Sequence, residues 1–261
     1  MIRRLFEWWR GSRVSRIPDD LWQEAVGSLP FIACLSEEAC NRLRQLTAAF
    51  LARKQFSAAG GLELTDAMCI NIAAQGCLPV LELGLAAYGE WVEVIVYPDE
   101  FVVARQFEDE HGIVHEFDDV LSGEAWPGGP LVISWHDASL AGDGYNVVIH
   151  EFAHKLDMQN GDPDGVPPLH SGLSRTEWET VLLTAYEHFC QRVDHDEDTL
   201  LDPYAAEHPS EFFAVLTEAF FETPELVSQE YPALYQLFCR YFRQSPLSRL
   251  PVRGIPSQST L

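Results

Sequence analysis

The chain has 261 residues, of which 47% are hydrophobic and 11% aromatic, enough apolar material for a sizeable core. Its formal charge of −23 argues against nucleic acid as a partner, because phosphate binding needs a basic surface, and favours cationic partners or substrates. The six cysteines contain no C-x-x-C pair and read as free thiols of a reducing, cytoplasmic setting.

Residues 1–16 carry five arginines against Glu7, a net of +4 that leaves −27 for the remainder. Ile2, Leu5, Phe6, Trp8 and Trp9 alternate with those arginines, so the segment is either an interfacial or docking arm or a short helix laid on the acidic body. No apolar run approaches a membrane span.

Ile17-Pro18-Asp19-Asp20 opens a helix with Leu21, Trp22 and Ala25 on one face, broken at Leu29-Pro30. Ser36-Glu37-Glu38 starts the next, with Leu43, Leu46, Phe50 and Leu51 at helical spacing. Gln55 to Leu64 reads as a strand interrupted at Gly60-Gly61, and Thr65-Asp66 caps a helix over Ala67 to Gly76 that is apolar on most sides and so central. From about 91 to 136 the period becomes extended: Trp91–Tyr97, Phe101–Ala104, Ile113–Phe117 and Leu131–Trp135 are strand candidates. Beyond Asn146 the chain reads helical at 146–157, 174–192, 209–222 and 230–242, with a polar loop at 158–172. The tail 245–261 is Pro- and Ser-rich and reads as irregular, which leaves 17–244 as one α+β unit, 17–145 bearing N-terminal helices and a mixed sheet and 146–244 the active-site helical part.

The chemistry concentrates at His150-Glu151-Phe152-Ala153-His154. Residues i and i+4 of a helix share a face, so His150 and His154 can offer two imidazoles to one ion while Glu151 stands beside a water on it. A zinc hydrolase of this α+β order needs a third ligand. The best segment is Tyr204 to Phe221, where Pro209 suits a first helical turn and Glu211 is a carboxylate in an apolar stretch, costly unless paired or bound to metal. Glu211 is the first choice. Glu218 is a rival, or a partner for a ligand imidazole's free N–H, and Glu207 and His208 precede the helix. Leu131–Trp135 could wall the cleft and pair with an extended substrate, or be an ordinary internal strand.

His150-Glu151-Phe152-Ala153-His154-Lys155-Leu156-Asp157, followed by Tyr204 and Pro209-Ser210-Glu211-Phe212-Phe213-Ala214, resembles the Mlc titration factor A (MtfA) family through most of the chain. The two segments alone are also similar to the catalytic part of anthrax lethal factor, which pairs H-E-F-G-H with a later Y-x6-E-F-F-A. The resemblance implies a gluzincin-like zincin fold, Zn2+ on His150, His154 and Glu211, Glu151 as general base, and Tyr204 as donor to the oxyanion. It further implies aminopeptidase-like cleavage of short peptides, and binding of the Mlc repressor that relieves repression of glucose phosphotransferase uptake. Lys155 departs from the looser zincin pattern but matches this family's. Asp157 is read either as orienting a ligand imidazole or as closing the helix, and His136 and His170 as structural histidines rather than cleft residues.

Overall fold

The computed structural model describes residues 16–108, 114–142 and 144–250. The basic aromatic segment, apart from Arg16, and the tail beyond 250 lie outside the described residues.

Three helices open the fold: α1 (Asp19–Val26), α2 (Pro30–Ala33) and α3 (Glu37–Leu51), the last capped by the Ser36 hydroxyl accepting from the Ala39 N–H. After β1 (Gln55–Ala58) comes α4 (Asp66–Cys77), whose first turn is capped by Thr65. Met68 through Cys77 are all buried, which is why that sequence is apolar on most sides. Gly76 lets α4 approach the helix of the His-Glu motif: a Cβ there would stand 2.3 Å from the Phe152 ring. The predicted strand 55–64 ends at Ala58, before the Gly60-Gly61 turn.

The strands are β2 (Glu93–Tyr97), β3 (Phe101–Glu108), β4 (Val114–Leu121), β5 (Gly123–Ala125) and β6 (Leu131–Ser134). The main sheet is mixed, in the order β1-β2-β6-β5, with β1, β2 and β6 parallel and β5 antiparallel to β6. β3 and β4 form a separate antiparallel hairpin, with Phe101 opposite Leu121. The expectation that Leu131–Trp135 offers an edge to substrate is therefore corrected. β6 is internal, hydrogen-bonded on both sides and buried at every residue, and Trp135 already begins the short helix α5 (Trp135–Ala138). The edge on that side is β5.

The remaining helices are α6 (Val147–Asp157), α7 (Arg175–Asp194), α8 (Pro209–Glu222), α9 (Pro224–Glu230) and α10 (Pro232–Phe242). The helix predicted over 230–242 is α10, which starts at Pro232, and Tyr231-Pro232 separates it from α9, a helix the sequence reading did not single out. α8 is the central helix of this half. Phe212 packs tilted on Phe189, Phe213 tilted on Trp178 and edge-on to Phe238, Phe220 edge-on to Phe238, and Phe221 edge-on to Phe242. One cluster of buried apolar residues runs from Ile17 to Phe242 and carries both α6 and α8, so the two segments singled out in the sequence are held by a common core.

Candidate metal centre and its cleft

Helix α6 starts at Asn146, whose Oδ1 accepts from the Ile149 N–H and fixes the first turn. Three carboxylates reach this region from α8, spaced at 211, 218 and 222 so that they fall on one face. Glu222 accepts from the Gly142 and Gly144 N–H groups and from Asn146 Nδ2. Glu218 accepts from the Asn146 N–H at 2.5 Å through one oxygen and from His150 Nδ1 at 2.7 Å through the other. Glu211 faces both histidines.

The bond to Glu218 sets the His150 tautomer: Nδ1 carries the proton and Nε2 presents a lone pair. His150 Nε2, His154 Nε2 and Glu211 Oε2 stand 3.1 Å from one another on every side. Lone pairs converging so closely repel unless a cation lies among them. Burial opposes charge on His150, yet hydrogen bonds to Glu211 and Glu218 hold its pKa well above the ordinary imidazole value. Burial likewise raises Glu211, but the two imidazoles outweigh it and leave its carboxyl far below the usual carboxylate range.

The donor set fits a divalent metal. Two neutral imidazole nitrogens and a carboxylate suit zinc, and ligand distances of about 2.0–2.1 Å in a tetrahedron require donors about 3.3–3.4 Å apart, close to the triangle seen here. These three residues form the metal-competent group found among the described residues.

Glu151 is buried and its Oε2 has no hydrogen-bond partner, so one carboxylate oxygen is free beside the triangle. Burial raises its pKa, as a proton acceptor in a site of hydrolysis requires. It is held there by β5: Gly123 lies so close that a Cβ would meet Glu151 Oε1 at 2.5 Å and Val147 Cγ2 at 2.8 Å. Tyr204 sits in a 3-10 turn, Pro203–Ala206, pinned by Asp202 accepting from its N–H, with its ring 6.2 Å from that of His150. Its phenol pKa is raised, first by burial and then by the Glu211 charge, so it stays protonated and able to donate.

Of these groups His150, Glu151, Glu218 and Tyr204 line a cleft of about 680 Å³, together with Asp119–Gly123 and Thr199–Pro203, while His154 and Glu211 do not line it. None of residues 158–172 lines it. That loop is tied down elsewhere, Asp157 accepting from the Gly165 N–H and His170 bonding Tyr241 O. Asp157 thus ties the loop to the end of α6 through one oxygen, while its other oxygen, Oδ1, and His154 Nδ1 have no hydrogen-bond partner among the described residues. His136 is exposed on α5, and His208 caps α8 through Ser210. Glu207 lines the cleft without joining the triangle.

Three participants escaped the sequence reading. Tyr145 lines the cleft, hydrogen-bonded to Ser122, and burial pushes its pKa to about 12. Glu222 was findable, since it too is a carboxylate in an apolar helix. β5 was not, being three residues without β-branched or alternating character.

No helix of the described residues is long and apolar enough to cross a membrane. The model of the glucose-regulated metallo-peptidase M90 family matches residues 6–243. Proteins named Mlc titration factor A are similar over most of their length. That of Klebsiella pneumoniae subsp. pneumoniae is 39% identical, covering 97% of each chain. That of Cronobacter sakazakii is 38% identical over 98% of each, and that of Yersinia pestis 42% identical over 88% of this chain and 86% of its own. A match spanning nearly the whole chain, with a His-His-Glu triangle at its centre, leaves one conclusion: the chain belongs to the glucose-regulated metallo-peptidase M90 family, the family of the Mlc titration factors A.

Proposed function

We propose that the chain is a zinc peptidase of zincin type, acting on short peptides within a catalytic unit of residues 17–244. The observation that carries this reading is the triangle of His150 Nε2, His154 Nε2 and Glu211 Oε2 at 3.1 Å, with the free Glu151 oxygen beside it. Zinc bound by those three residues would acidify a water and polarise a peptide carbonyl. Glu151 takes the water's proton during attack and returns it to the leaving amine, the role its raised pKa suits. Tyr204, its ring 6.2 Å from that of His150, donates to the oxygen on which negative charge develops. Glu218 holds the His150 imidazole in the tautomer that leaves Nε2 free.

The substrate's backbone is best received on β5. The Ser134 N–H donates to Ser122 O and the Trp126 N–H to Pro130 O, so even-numbered residues of β5 bond to β6. The N–H and C=O of Gly123 and Ala125 therefore point to the side of β5 that no described strand pairs, while the face of Gly123 lies against Glu151. An extended peptide pairing there would lie with a carbonyl near the triangle. A free amino terminus would find the acidic Asp119, Asp202 and Glu207 in the cleft, which agrees with aminopeptidase-like cleavage of short peptides.

A second reading rests on the relatives' name, Mlc titration factor A: the chain binds the Mlc repressor in the cytoplasm and so regulates glucose phosphotransferase expression. Glu151→Gln separates the two. It should keep stoichiometric zinc and lose hydrolysis by at least about 10²-fold, the low end for a general base, while a binding function survives. Normal peptide hydrolysis by metal-verified Glu151→Gln would sink the assignment of the base.

A further inference from the structure

We infer that Lys155 is a positioning residue that sets the height of the β5 substrate edge over the metal site, by clasping the β5–β6 turn to the active helix. The inference rests on the peptidase reading above.

Lys155 follows His154 directly and is 1% exposed. Its ammonium donates to Trp126 O at 2.7 Å, Gly129 O at 2.9 Å and Pro130 O at 3.1 Å, so its three donors are taken by carbonyls of one turn. It also lies over the Trp91 ring, 4.8 Å from its centroid. Its hydrogen-bond partners are neutral carbonyls rather than a carboxylate, so these three bonds, with the Trp91 ring and the charge of Glu151, offset the cost of burying the ammonium. Such a cation at such a location fixes backbone where side chains cannot reach.

The turn it grips begins one residue past β5. Helix α6 therefore touches this strand at two heights: Val147 and Glu151 against Gly123, then Lys155 against the turn at Trp126. Residues 147, 151 and 155 are successive turns of one helix face, about 6 Å apart along the axis. The strand runs beside that face for the length of the site. Gly123 fixes its near end by contact, and Lys155 fixes its far end by hydrogen bonds. Between them lies Ala125, whose N–H and C=O face the open side. If the far end is released, the ligands and base on α6 and α8 keep their places, while the edge that receives peptide backbone drifts.

The test is Lys155→Met, which keeps the apolar stem and removes the donors, assayed as the zinc-loaded full chain on an aminoacyl anilide and on a hexapeptide. Only the hexapeptide can lie along β5. The expected result is full zinc content, a hexapeptide KM raised about tenfold or more with kcat within about threefold, and anilide kinetics within about threefold of wild type. Amide exchange at Trp126 and Gly129 should quicken while that of α6 does not. An unchanged hexapeptide KM, or equal loss on both substrates, overturns the inference. If Lys155→Met does not fold, Lys155→Gln keeps two N–H donors and must show the same KM effect in smaller measure. Failure of both variants to fold would make Lys155 a structural residue only. A wild type inactive on both substrates would sink the peptidase reading instead, and the exchange comparison would then decide for or against the clasp.

Discussion

Gly123→Ala should damage turnover without touching the metal. Gly123 does not have a positive φ, so alanine suits its backbone and only the added methyl matters. That Cβ would stand 2.5 Å from Glu151 Oε1, 2.7 Å from Glu151 Cγ and 2.8 Å from Val147 Cγ2, whereas ordinary contact begins at 3.4 Å. Swinging the Glu151 carboxylate aside relieves the first of these but not the contact with Val147. Either β5 lifts off α6 or the base moves, in both cases by about 0.5–1 Å, and a misplacement of that size costs about 10²-fold in rate. The forced overpacking should also cost about 1–3 kcal/mol, which for a chain of this length lowers Tm by about 2–6 °C. His150, His154 and Glu211 are not among the atoms met, so zinc content should stay at wild-type stoichiometry. The assay is kcat/KM on a short peptide beside metal analysis and a thermal melt. Wild-type activity in Gly123→Ala would show that Glu151 is not held against β5, and activity lost only in step with zinc would refute its role as the base.

Glu218→Ala removes the acceptor of the His150 Nδ1–H and of the Asn146 N–H, so zinc affinity measured against a chelator should fall about 10–100-fold. Glu211→Ala, which deletes a proposed ligand, should lose more; stoichiometric zinc in that variant would move the third ligand elsewhere. Burial pushes the Glu222 pKa up to about 7 from 4.5. Because the folded state holds this proton more tightly, the group's stabilisation is full below pH 4.5 and is lost as pH rises to 7, to the extent of about 3 kcal/mol. The difference in stability between wild type and Glu222→Gln should therefore drift in favour of the variant across that window, and a flat difference would refute the shift.

The chemistry was legible because it is local. Two imidazoles four residues apart on one helix, and a carboxylate in the first turn of another, depend on nothing beyond helical geometry and the cost of burying charge. Glu218 was read as a possible partner for a ligand imidazole, and the same cost argument, pressed further along α8, would have added Glu222: three carboxylates at 211, 218 and 222 in a run of phenylalanines must all have partners. What the sequence does not carry is the frame around them. β5 is Gly-Glu-Ala, a strand only because β6 lies beside it, and the expectation of an edge at Leu131–Trp135 failed for want of those three residues. Lys155 was unreadable for a similar reason. Its partners are backbone carbonyls 25 to 29 residues upstream, and carbonyls have no residue type. A ligand set announces itself through side chains, whereas a substrate edge is made of backbone. The two can be joined only by finding where side chains of the active helix meet main chain, and here those meetings are Glu151 on Gly123 and Lys155 on the Trp126–Pro130 turn.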